Sequence, residues 1–436
     1  MRAKPGTHPD SNEPSKSQSS PWSWVPSLYF GQGLPYVTVM VLSVVFYKNL
    51  GIPNTDIALY TSWLYLPWVI KPLWSPVVDL LGTKRTWVVL LQGTVGVAFV
   101  LLALTVPASA FFRLTLAMFW IVAFASATHD IAADGFYLLA LSEKRQSAFV
   151  GLRSAFYRAA MIAGQGGLVL LAGKLSEQTG DPRRAWMTVF GALAVFFLGL
   201  FAWHRFILPR PETDGPAEAG TGLFSGALAT FRSFFARRDI ALVLGFLLTF
   251  RLGEAQVVKM MTPFLLDPMA SGGLGLSTAR VGLVYGTIGM LFLTAGGLVG
   301  GYAISRMGLR RWLWPMTVAV HIPNLAFVYL AATRPTSLAI VASAVAIEQF
   351  GYGFGFTAYI MFMVMIADGP HKTAHYAIAT GFMALGMMLP GMASGWIQEQ
   401  LGYLNFFIWV CCATVPSIVL TAFLRIDPAF GRREAA

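Results

Sequence analysis

Long runs of apolar residues, separated by short polar or charged segments, are the main pattern along the chain. Each run has about twenty residues or more, the length that an α-helix needs to cross the hydrocarbon core of a bilayer. We count twelve such runs and predict a transmembrane helix for each. The first six lie near Trp24–Tyr47, Thr55–Leu81, Trp87–Pro107, Phe112–Leu141, Ser147–Leu175 and Arg184–Ile207. The other six lie near Ile240–Leu266, Thr278–Ser305, Trp312–Ala332, Ser337–Ala367, Thr373–Gln398 and Leu404–Leu424.

A polar segment, PRPETDGPAEAGTG followed by the basic FRSFFARRD, divides the predicted helices into two groups of six. The first twenty residues are rich in Ser and Pro and lack the apolar core of a signal peptide, so we expect a disordered cytoplasmic tail. The predicted organisation is a tail (1–20), a six-helix bundle (21–207), a cytoplasmic linker (208–239), a second six-helix bundle (240–426) and a C-terminal tail (427–436).

The two halves contain matching motifs. GQGGLVLLAGKLSEQTG (Gly164–Gly180) and GMMLPGMASGWIQEQLG (Gly386–Gly402) share three glycines and a Glu-Gln pair at a constant shift of 222 residues. DLLGTKR and SRMGLRR follow the second and eighth runs, and each has a glycine for a turn and then basic residues. Two six-helix halves in parallel repeat are the plan of the major facilitator superfamily, so we predict that all-α fold.

Composition and charge agree with a membrane protein. Hydrophobic residues make up 56% of the chain and charged residues only 12%, too few to cover the surface of a soluble protein of this length. With the N-terminus inside, cytoplasmic segments hold 19 of the 31 Lys and Arg residues and the opposite face holds 7, which predicts that both termini are cytoplasmic. The net charge of +11 follows from this bias and does not indicate nucleic-acid binding.

The sequence lacks the motifs of common enzyme and metal sites. It has no G-x-x-x-x-G-K-[ST] nucleotide loop, no H-E-x-x-H and no G-x-S-x-G. Its two cysteines, Cys411 and Cys412, are adjacent and have neither disulfide-framework nor metal-ligand spacing. We therefore expect no enzymatic activity, no metal and no cofactor other than a proton gradient.

Two aspartates stand in the fourth run, in THDIAADGFY. A charge facing lipid at a helix centre costs about 2.5–3.5 kcal/mol, so Asp130 and Asp134 must face the protein interior and have partners. Asp134 is seven residues before the end of its run, and the fifth run returns from Ser147, which places Arg153 at the depth of Asp134 and Arg158 at that of Asp130. We predict Asp130–Arg158 and Asp134–Arg153 contacts. The pairs could be structural clamps, and Asp134–Arg153, nearer the rim, could be a gate, whereas the deeper Asp130 could serve substrate and proton.

Other ionisable residues also lie within runs. Lys71 is in a helix interrupted by prolines, which suits a helix that moves. Arg251 and Glu254 are one turn apart, so they could bind substrate and proton or simply neutralise each other. Burial away from water favours the protonated form of a carboxyl group, so Glu254 and Glu348 are proton-coupling candidates after Asp130. Lys259 completes this group.

At the level of motifs the chain resembles the AmpG-type muropeptide permeases. The resemblance is carried by FGQGLPYVTVMVLSVVF, YLPWVIKPLWSPVVDLLGTKR, ATHDIAADGFYLL and FRLGEAQVVKMMTPFLLD, and by TAHYAIATGFMALGMMLPGMASGWIQEQLGYLNFF near the end. It covers essentially all twelve runs. It implies a bacterial inner-membrane importer of anhydro-muropeptides driven by the proton gradient. Acetyl-coenzyme A transporters share the pattern more distantly, with QDIAVDG where this chain has HDIAADG.

The resemblance also implies site residues. Polar positions of the family pattern fall on Lys71, Asp79, Asp130, Asp134 and Arg158, and the helix 7 glycine-acid pair falls on Gly253 and Glu254. The candidate substrate-binding residues are Tyr29, Gln32, Lys71, Asp130, Arg158, Arg251 and Lys259. Asp130, Glu254 and Glu348 are the proton-coupling candidates, and Asp134 with Arg153 and Asp79 with Arg85 are candidate gating or structural ion pairs.

These features predict a monomeric proton-coupled transporter that moves an anionic sugar-peptide by alternating access of the two halves. The expected partners are a small anionic substrate and the lipid bilayer, without nucleic acid. Acetyl-coenzyme A or another anionic metabolite would suit the same basic residues. A membrane sensor without transport, or a membrane-embedded transferase, are alternatives of another class.

Overall fold

A computed structural model describes residues 20–215, 231–367 and 372–432. All regular secondary structure in these ranges is helical. The predicted tail up to residue 19, linker residues 216–230 and residues 433–436 lie outside the described residues. In the first half the helices are α1 (Pro21–Asn49), α2 in two pieces (Asn54–Trp63 and Leu66–Leu80), α3 (Lys84–Thr105), α4 (Phe111–Ala140), α5 (Lys144–Thr179) and α6 (Pro182–Ile207). In the second half they are α7 (Ile240–Leu266), α8 (Thr278–Met307), α9 (Leu309–Thr333), α10 (Leu338–Ile366), α11 (Lys372–Ala413) and α12 (Val415–Phe423).

Ten helical stretches within the described ranges are long and apolar enough to cross a membrane. The difference from twelve predicted runs has two causes. The two pieces of α2 are separated between Trp63 and Leu66, so neither is long enough by itself. At the other end of the chain, α11 and α12 count as one helical stretch, Ala374–Phe423, because only Thr414 separates them and the helical assignment of α11 continues through Gly402.

The chain reverses its direction at Gly402. This residue has φ 70° and ψ 168°, a backbone conformation that a residue with a side chain rarely adopts. Before it, α11 runs parallel to α7, and after it the chain runs antiparallel to α7. The contacts that show this are Gly386 with Leu248 and Gly391 with Lys259 before the reversal, and Gly253 with Val410 and Gly245 with Leu420 after it. The stretch Ala374–Phe423 is therefore a helical hairpin.

Local sequence accounts for several helix starts. Asp181 accepts hydrogen bonds from the backbone N–H groups of Arg183 and Arg184, and Pro182 occupies the first turn of α6, where its missing N–H is not needed. The Thr83 hydroxyl accepts from the backbone N–H of Thr86 at the start of α3. Such caps satisfy N–H groups that have no partner within the helix.

Each half has its own apolar core. In the first half, four large aromatic residues, Phe46, Phe119, Trp186 and Phe190, pack edge to face or tilted between α1, α4 and α6. In the second half, Phe246, Phe250, Tyr359 and Phe362 join α7 to α10, with the Phe250 and Tyr359 rings stacked and the other pairs tilted or edge to face. Each bundle therefore has an aromatic cluster of its own.

The two halves meet closely where α5 crosses α8. Both helices contain a wide π-helical turn there, Ala163–Leu168 in α5 and Gly282–Gly289 in α8. A Cβ atom on Gly286 would lie 2.1 Å from the carbonyl oxygen of Gln165, and one on Gly173 would lie 2.2 Å from the backbone nitrogen of Ala279. Only glycine permits backbones to approach so closely.

We expect Gly286→Val to force α5 and α8 apart and to destabilise the protein by about 1–3 kcal/mol, the usual cost of overpacking. The matched control is Gly301→Val, on the same helix, where an added Cβ meets no atom within 4 Å. Thermal unfolding of the purified proteins in detergent measures both. Equal melting temperatures for Gly286→Val and Gly301→Val would contradict the assignment of this crossing as a tight contact.

Candidate functional site

A cavity of about 460 Å³ opens between α1 and α5 of the first half and α8 of the second. The residues that line it are Tyr29, Gln32, Arg153, Ser154, Tyr157, Arg158, Met161, Met290 and Leu293. One wall is cationic and hydroxyl-rich, and the facing wall of α8 is apolar. A polar cavity at the junction of two helical bundles is a typical ligand site.

The Asp134–Arg153 contact is present. The guanidinium Nη2 of Arg153 lies 2.9 Å from Oδ1 of Asp134, and the Tyr29 hydroxyl donates to the same oxygen at 3.5 Å. The guanidinium also lies 4.6 Å from the centre of the Tyr29 ring and 5.5 Å from that of Tyr137. Arg153 is thus held by a charge and by two aromatic faces, while 31% of its side chain remains exposed.

The prediction that Asp130 pairs with Arg158 is wrong. Oδ2 of Asp130 lies 3.7 Å from Nζ of Lys71 and accepts a hydrogen bond of 3.1 Å from the indole N–H of Trp68. Both partners are on the second piece of α2, which packs against α4. The sequence gives the depth of a residue along its helix, but it does not tell which side of α4 faces α5. The other oxygen, Oδ1, is buried and has no hydrogen-bond partner among the described residues.

Arg158 faces the second half. A guanidinium nitrogen lies 3.9 Å from the position that a Cβ atom on Gly297 of α8 would occupy. Among the described residues Arg158 has no ion pair and no hydrogen-bonded side-chain partner. It is therefore a cation in the cavity wall whose charge is available to a ligand.

Arg251 lies at a break in α7, which consists of the pieces Ile240–Thr249 and Leu252–Leu266. Its guanidinium donates to the Tyr352 hydroxyl and lies 4.9 Å from the centre of the Phe356 ring. Its Nε is buried without a partner in the described structure. Arg251 and Glu254 form no ion pair in the described structure, but their charges are close enough to interact.

Glu254 and Glu348 are both completely buried. Neither carboxylate oxygen of Glu254 has a hydrogen-bond donor in the described structure, and Glu348 accepts only from its neighbour Gln349, at 2.8 Å. The two groups, on α7 and α10, are close enough to interact electrostatically. A carboxylate without donors is costly in such surroundings, so the neutral form of these groups suits the geometry.

Lys259 lies outside the cavity. Its side chain is 1% exposed, and its ammonium donates to the Thr61 hydroxyl at 3.0 Å and lies 5.3 Å from the centre of the Tyr65 ring. Of the seven predicted substrate-binding residues, Tyr29, Gln32 and Arg158 line the cavity, whereas Lys71, Asp130, Arg251 and Lys259 do not.

Of the predicted Asp79–Arg85 pair, the structure describes only the side chain of Arg85. The guanidinium of Arg85 donates to the carbonyl oxygens of Leu208, at 3.2 Å, and of Arg205 at the end of α6. The backbone N–H groups of Lys84 and Arg85 donate to Asp214, at 2.7 and 3.0 Å. Arg85 thus joins the α2–α3 turn to the end of the first half.

Sequence reasoning missed a polar network that joins the halves at the end of the bundle where α1 turns into α2. Nζ of Lys48 lies 2.5 Å from Oδ1 of Asp267 and donates to Oδ1 of Asn54 at 2.7 Å. Tyr403 donates to Oδ2 of Asp267 at 2.5 Å, and the Asn54 amide donates to the Tyr403 hydroxyl and to Gln398. The signal was available, because Lys48 and Asp267 end the first helix of each half with opposite charges.

A second missed feature lies inside the first half. Gln92 of α3 donates to Nε2 of His129 at 3.1 Å and accepts from Nδ1 of His204 at 2.9 Å, and the Ser27 hydroxyl pairs with Nε2 of His204 at 2.9 Å. This hydrogen-bonded network joins α1, α6, α3 and α4. His129, next to Asp130, therefore packs within the bundle, as expected from its direction on the helix.

A scan of family models matches residues 27–376 to the Major Facilitator Superfamily. The chain belongs to this family. It is a multi-pass integral membrane protein of a class of transporters, as its ten apolar helices also indicate.

Curated relatives sharpen this placement. The chain is 25% identical over 405 residues to the anhydromuropeptide permease of Escherichia coli (strain K12), covering 91% of this chain and 78% of that one. It is 24% identical over 413 residues to the putative transporter AmpG 4 of Rickettsia conorii, covering 90% and 94%. The predicted resemblance to AmpG-type permeases is confirmed.

Solved structures agree on the fold. A bacterial homologue of the human lysosomal transporter Spinster, inward-facing and unoccupied, has a TM-score of 0.70 at 16% identity and covers 93% of this chain and 96% of its own. A mutant of the nucleoside transporter NupG has a TM-score of 0.71 at 15% identity, with 92% and 99% covered. At these identities the likeness shows the shared fold alone.

We expect Asn54→Ala to weaken closure of the halves at the Lys48–Asp267 network, because it removes the group that bonds to both halves. Spin labels at Gln178→Cys and Ala270→Cys, in a background with Cys411 and Cys412 replaced, should show a longer distance population by electron double resonance. Asn405→Ala is the control, since Asn405 bonds only to Leu401 of its own helix. Identical distance distributions for the two variants would remove the network's assigned role.

Proposed function

We propose that this chain is a proton-coupled secondary transporter that imports an anionic, anhydro-muropeptide-like sugar-peptide across the bacterial inner membrane. The observation that carries the proposal is the cavity between the halves, in which Arg158 offers a cation without an ion-pair partner beside Tyr29 and Gln32. The relatives named anhydromuropeptide permease and AmpG transporter favour a sugar-peptide over other anions.

The proposed topology has twelve spans with both termini in the cytoplasm. The two pieces of α2, fifteen and ten residues long, together have the length of one span. The hairpin at Gly402 supplies two spans where the helical stretch is continuous. The excess of Lys and Arg in the segments on the terminal side supports the orientation.

In this orientation the Lys48–Asp267 network and the α5–α8 crossing lie toward the periplasm and close the transporter there. The cavity lined by Arg158 lies on the cytoplasmic side of this closure. Opening the periplasmic side requires the network to break and the backbones at Gly286 and Gln165 to separate. Alternating access is then a rocking of two bundles, each with its own core.

We assign proton coupling to Glu254 and Glu348, with Asp130 as a further carrier. Both glutamates are completely buried, Glu254 has no donor in the described structure, and Glu348 accepts only from Gln349, so both suit binding a proton in the closed interior. Arg251, beside the break in α7, is the nearest cation that could respond to their charge. Asp130 differs because Lys71 and Trp68 already bind it.

Uptake by proteoliposomes under an imposed pH gradient tests the substrate. Purified anhydro-muropeptide, its free sugar and free peptide parts, and acetyl-coenzyme A form the panel. Accumulation of the muropeptide that depends on an inward proton gradient is the expected result. Uptake of acetyl-coenzyme A instead would favour the resemblance to acetyl-coenzyme A transporters. If the gradient drives uptake of none of these compounds, the proposal is contradicted.

Arg158→Gln should raise the KM for the anionic substrate about tenfold or more, since a hydrogen bond to a charged group contributes about 1.5–3 kcal/mol. Arg158→Lys should retain part of the affinity because it keeps the charge without the planar guanidinium. The control is Arg113→Gln, which replaces an exposed arginine at the start of α4. An unchanged KM in Arg158→Gln would place substrate binding elsewhere.

Glu254→Gln and Glu348→Gln should abolish the response of uptake to the pH gradient while substrate exchange at equal pH continues. A glutamine keeps the size of the side chain but carries no exchangeable acid proton. Exposed Glu177→Gln provides the control. If both variants still accumulate substrate with the gradient, coupling does not use this pair.

A further inference from the structure

A cavity of about 920 Å³ lies at the end of the second half that carries the C-terminus. Its walls come from the start of α7, the end of α10, the start of α11, and the residues around the end of α12. Its lining residues lie in the second bundle and in the segments that directly flank it, and none of them lines the transport cavity, so the two cavities are separate. We propose that this cavity binds the phosphate headgroup of an anionic phospholipid.

The rim of this cavity is basic. Arg237, Arg238, Lys372 and Arg425 line it, with Asp239 and Asp427 as the acidic residues. The acidic groups are engaged, since Asp239 accepts from Arg237 at 3.4 Å and Asp427 accepts from the backbone N–H of Ala429 at 2.9 Å. Arg237 also donates to the carbonyl of Ile366 at 2.8 Å.

Three cations of the rim remain for a ligand. Within the part of the chain that the structure describes, Arg238, Lys372 and Arg425 take part in no ion pair and no side-chain hydrogen bond. All three are exposed. A phosphate diester, with its single charge and two free oxygens, is the kind of anion that several converging Lys and Arg side chains bind.

An apolar path leads from the rim along α12. Val415, Val419 and Phe423 are four residues apart, so they share one face of the helix, and they are 52%, 50% and 65% exposed. Phe423 also lines the cavity, next to Arg425. This stripe continues from the charged rim toward the membrane interior.

The continuity of the two surfaces favours a lipid over a free phosphate. A soluble anion would contact the cations alone. A phospholipid uses both, with its headgroup at Arg238, Lys372 and Arg425 and an acyl chain along α12. Basic pockets between helices at a membrane surface bind anionic headgroups in this way.

Native mass spectrometry of the delipidated protein in detergent, with added phosphatidylglycerol or phosphatidylcholine, tests the proposal. Phosphatidylglycerol should remain bound preferentially and raise the melting temperature. The double variant Arg238→Gln/Arg425→Gln should weaken this binding about 25-fold, since each basic residue near the headgroup contributes about fivefold. The control is Arg310→Gln/Arg311→Gln, which removes two exposed arginines of α9 at the same end of the bundle.

A third variant tests the apolar path: Val419→Asp should weaken lipid binding without altering the basic rim. Inorganic phosphate and glycerol 3-phosphate serve as headgroup probes without an acyl chain. If either raises the melting temperature as much as phosphatidylglycerol does, the site binds a free phosphate and the lipid proposal is wrong. Equal retention of the two lipids, or undiminished binding by Arg238→Gln/Arg425→Gln in a folded protein, would overturn it as well.

Discussion

The absence of water from the hydrocarbon core governs the arrangement of this protein. Every buried charge must find a partner inside the protein or remain neutral, because lipid offers none. Asp134 meets Arg153, Asp130 meets Lys71, and Arg251 meets Tyr352. Helices that contribute these groups are thereby fixed in rotation, with their polar sides inward.

The two halves meet this constraint in different ways. In the first half each aspartate of α4 has a cationic partner on a neighbouring helix, so its charge is stabilised. In the second half Glu254 and Glu348 have no cation in contact, and Arg251 is held by a tyrosine hydroxyl and aromatic faces instead. Two halves with the same fold therefore differ in their polar groups: the first contains aspartates in ion pairs, and the second contains glutamates without a cation in contact. Under the proposed function, the first half holds substrate and the second responds to protons.

Much of the fold followed from the apolar runs, because span length and the separation into halves depend on local composition. The close packing around glycines such as Gly286 was also foreseeable, since such residues permit helices to touch. The partner of Asp130 could not be predicted from the sequence. The position of a residue along its helix gives its depth in the membrane but not the neighbouring helix that it faces. Lys48 and Asp267 were overlooked for another reason: residues at helix ends look like ordinary surface charges until the fold brings the two ends together. Likewise, the burial of Lys259 against Thr61 depends on how the two bundles are docked.

The hydrogen-bonded chain from Ser27 to His129 has a consequence for how protons can travel. Oε1 of Gln92 accepts a hydrogen bond from Nδ1 of His204, and the Gln92 amide N–H donates to Nε2 of His129. In this arrangement each neutral imidazole carries its proton on Nδ1. A carboxamide has no labile proton to hand on at neutral pH. This hydrogen-bonded network therefore fastens four helices yet insulates His129 from His204.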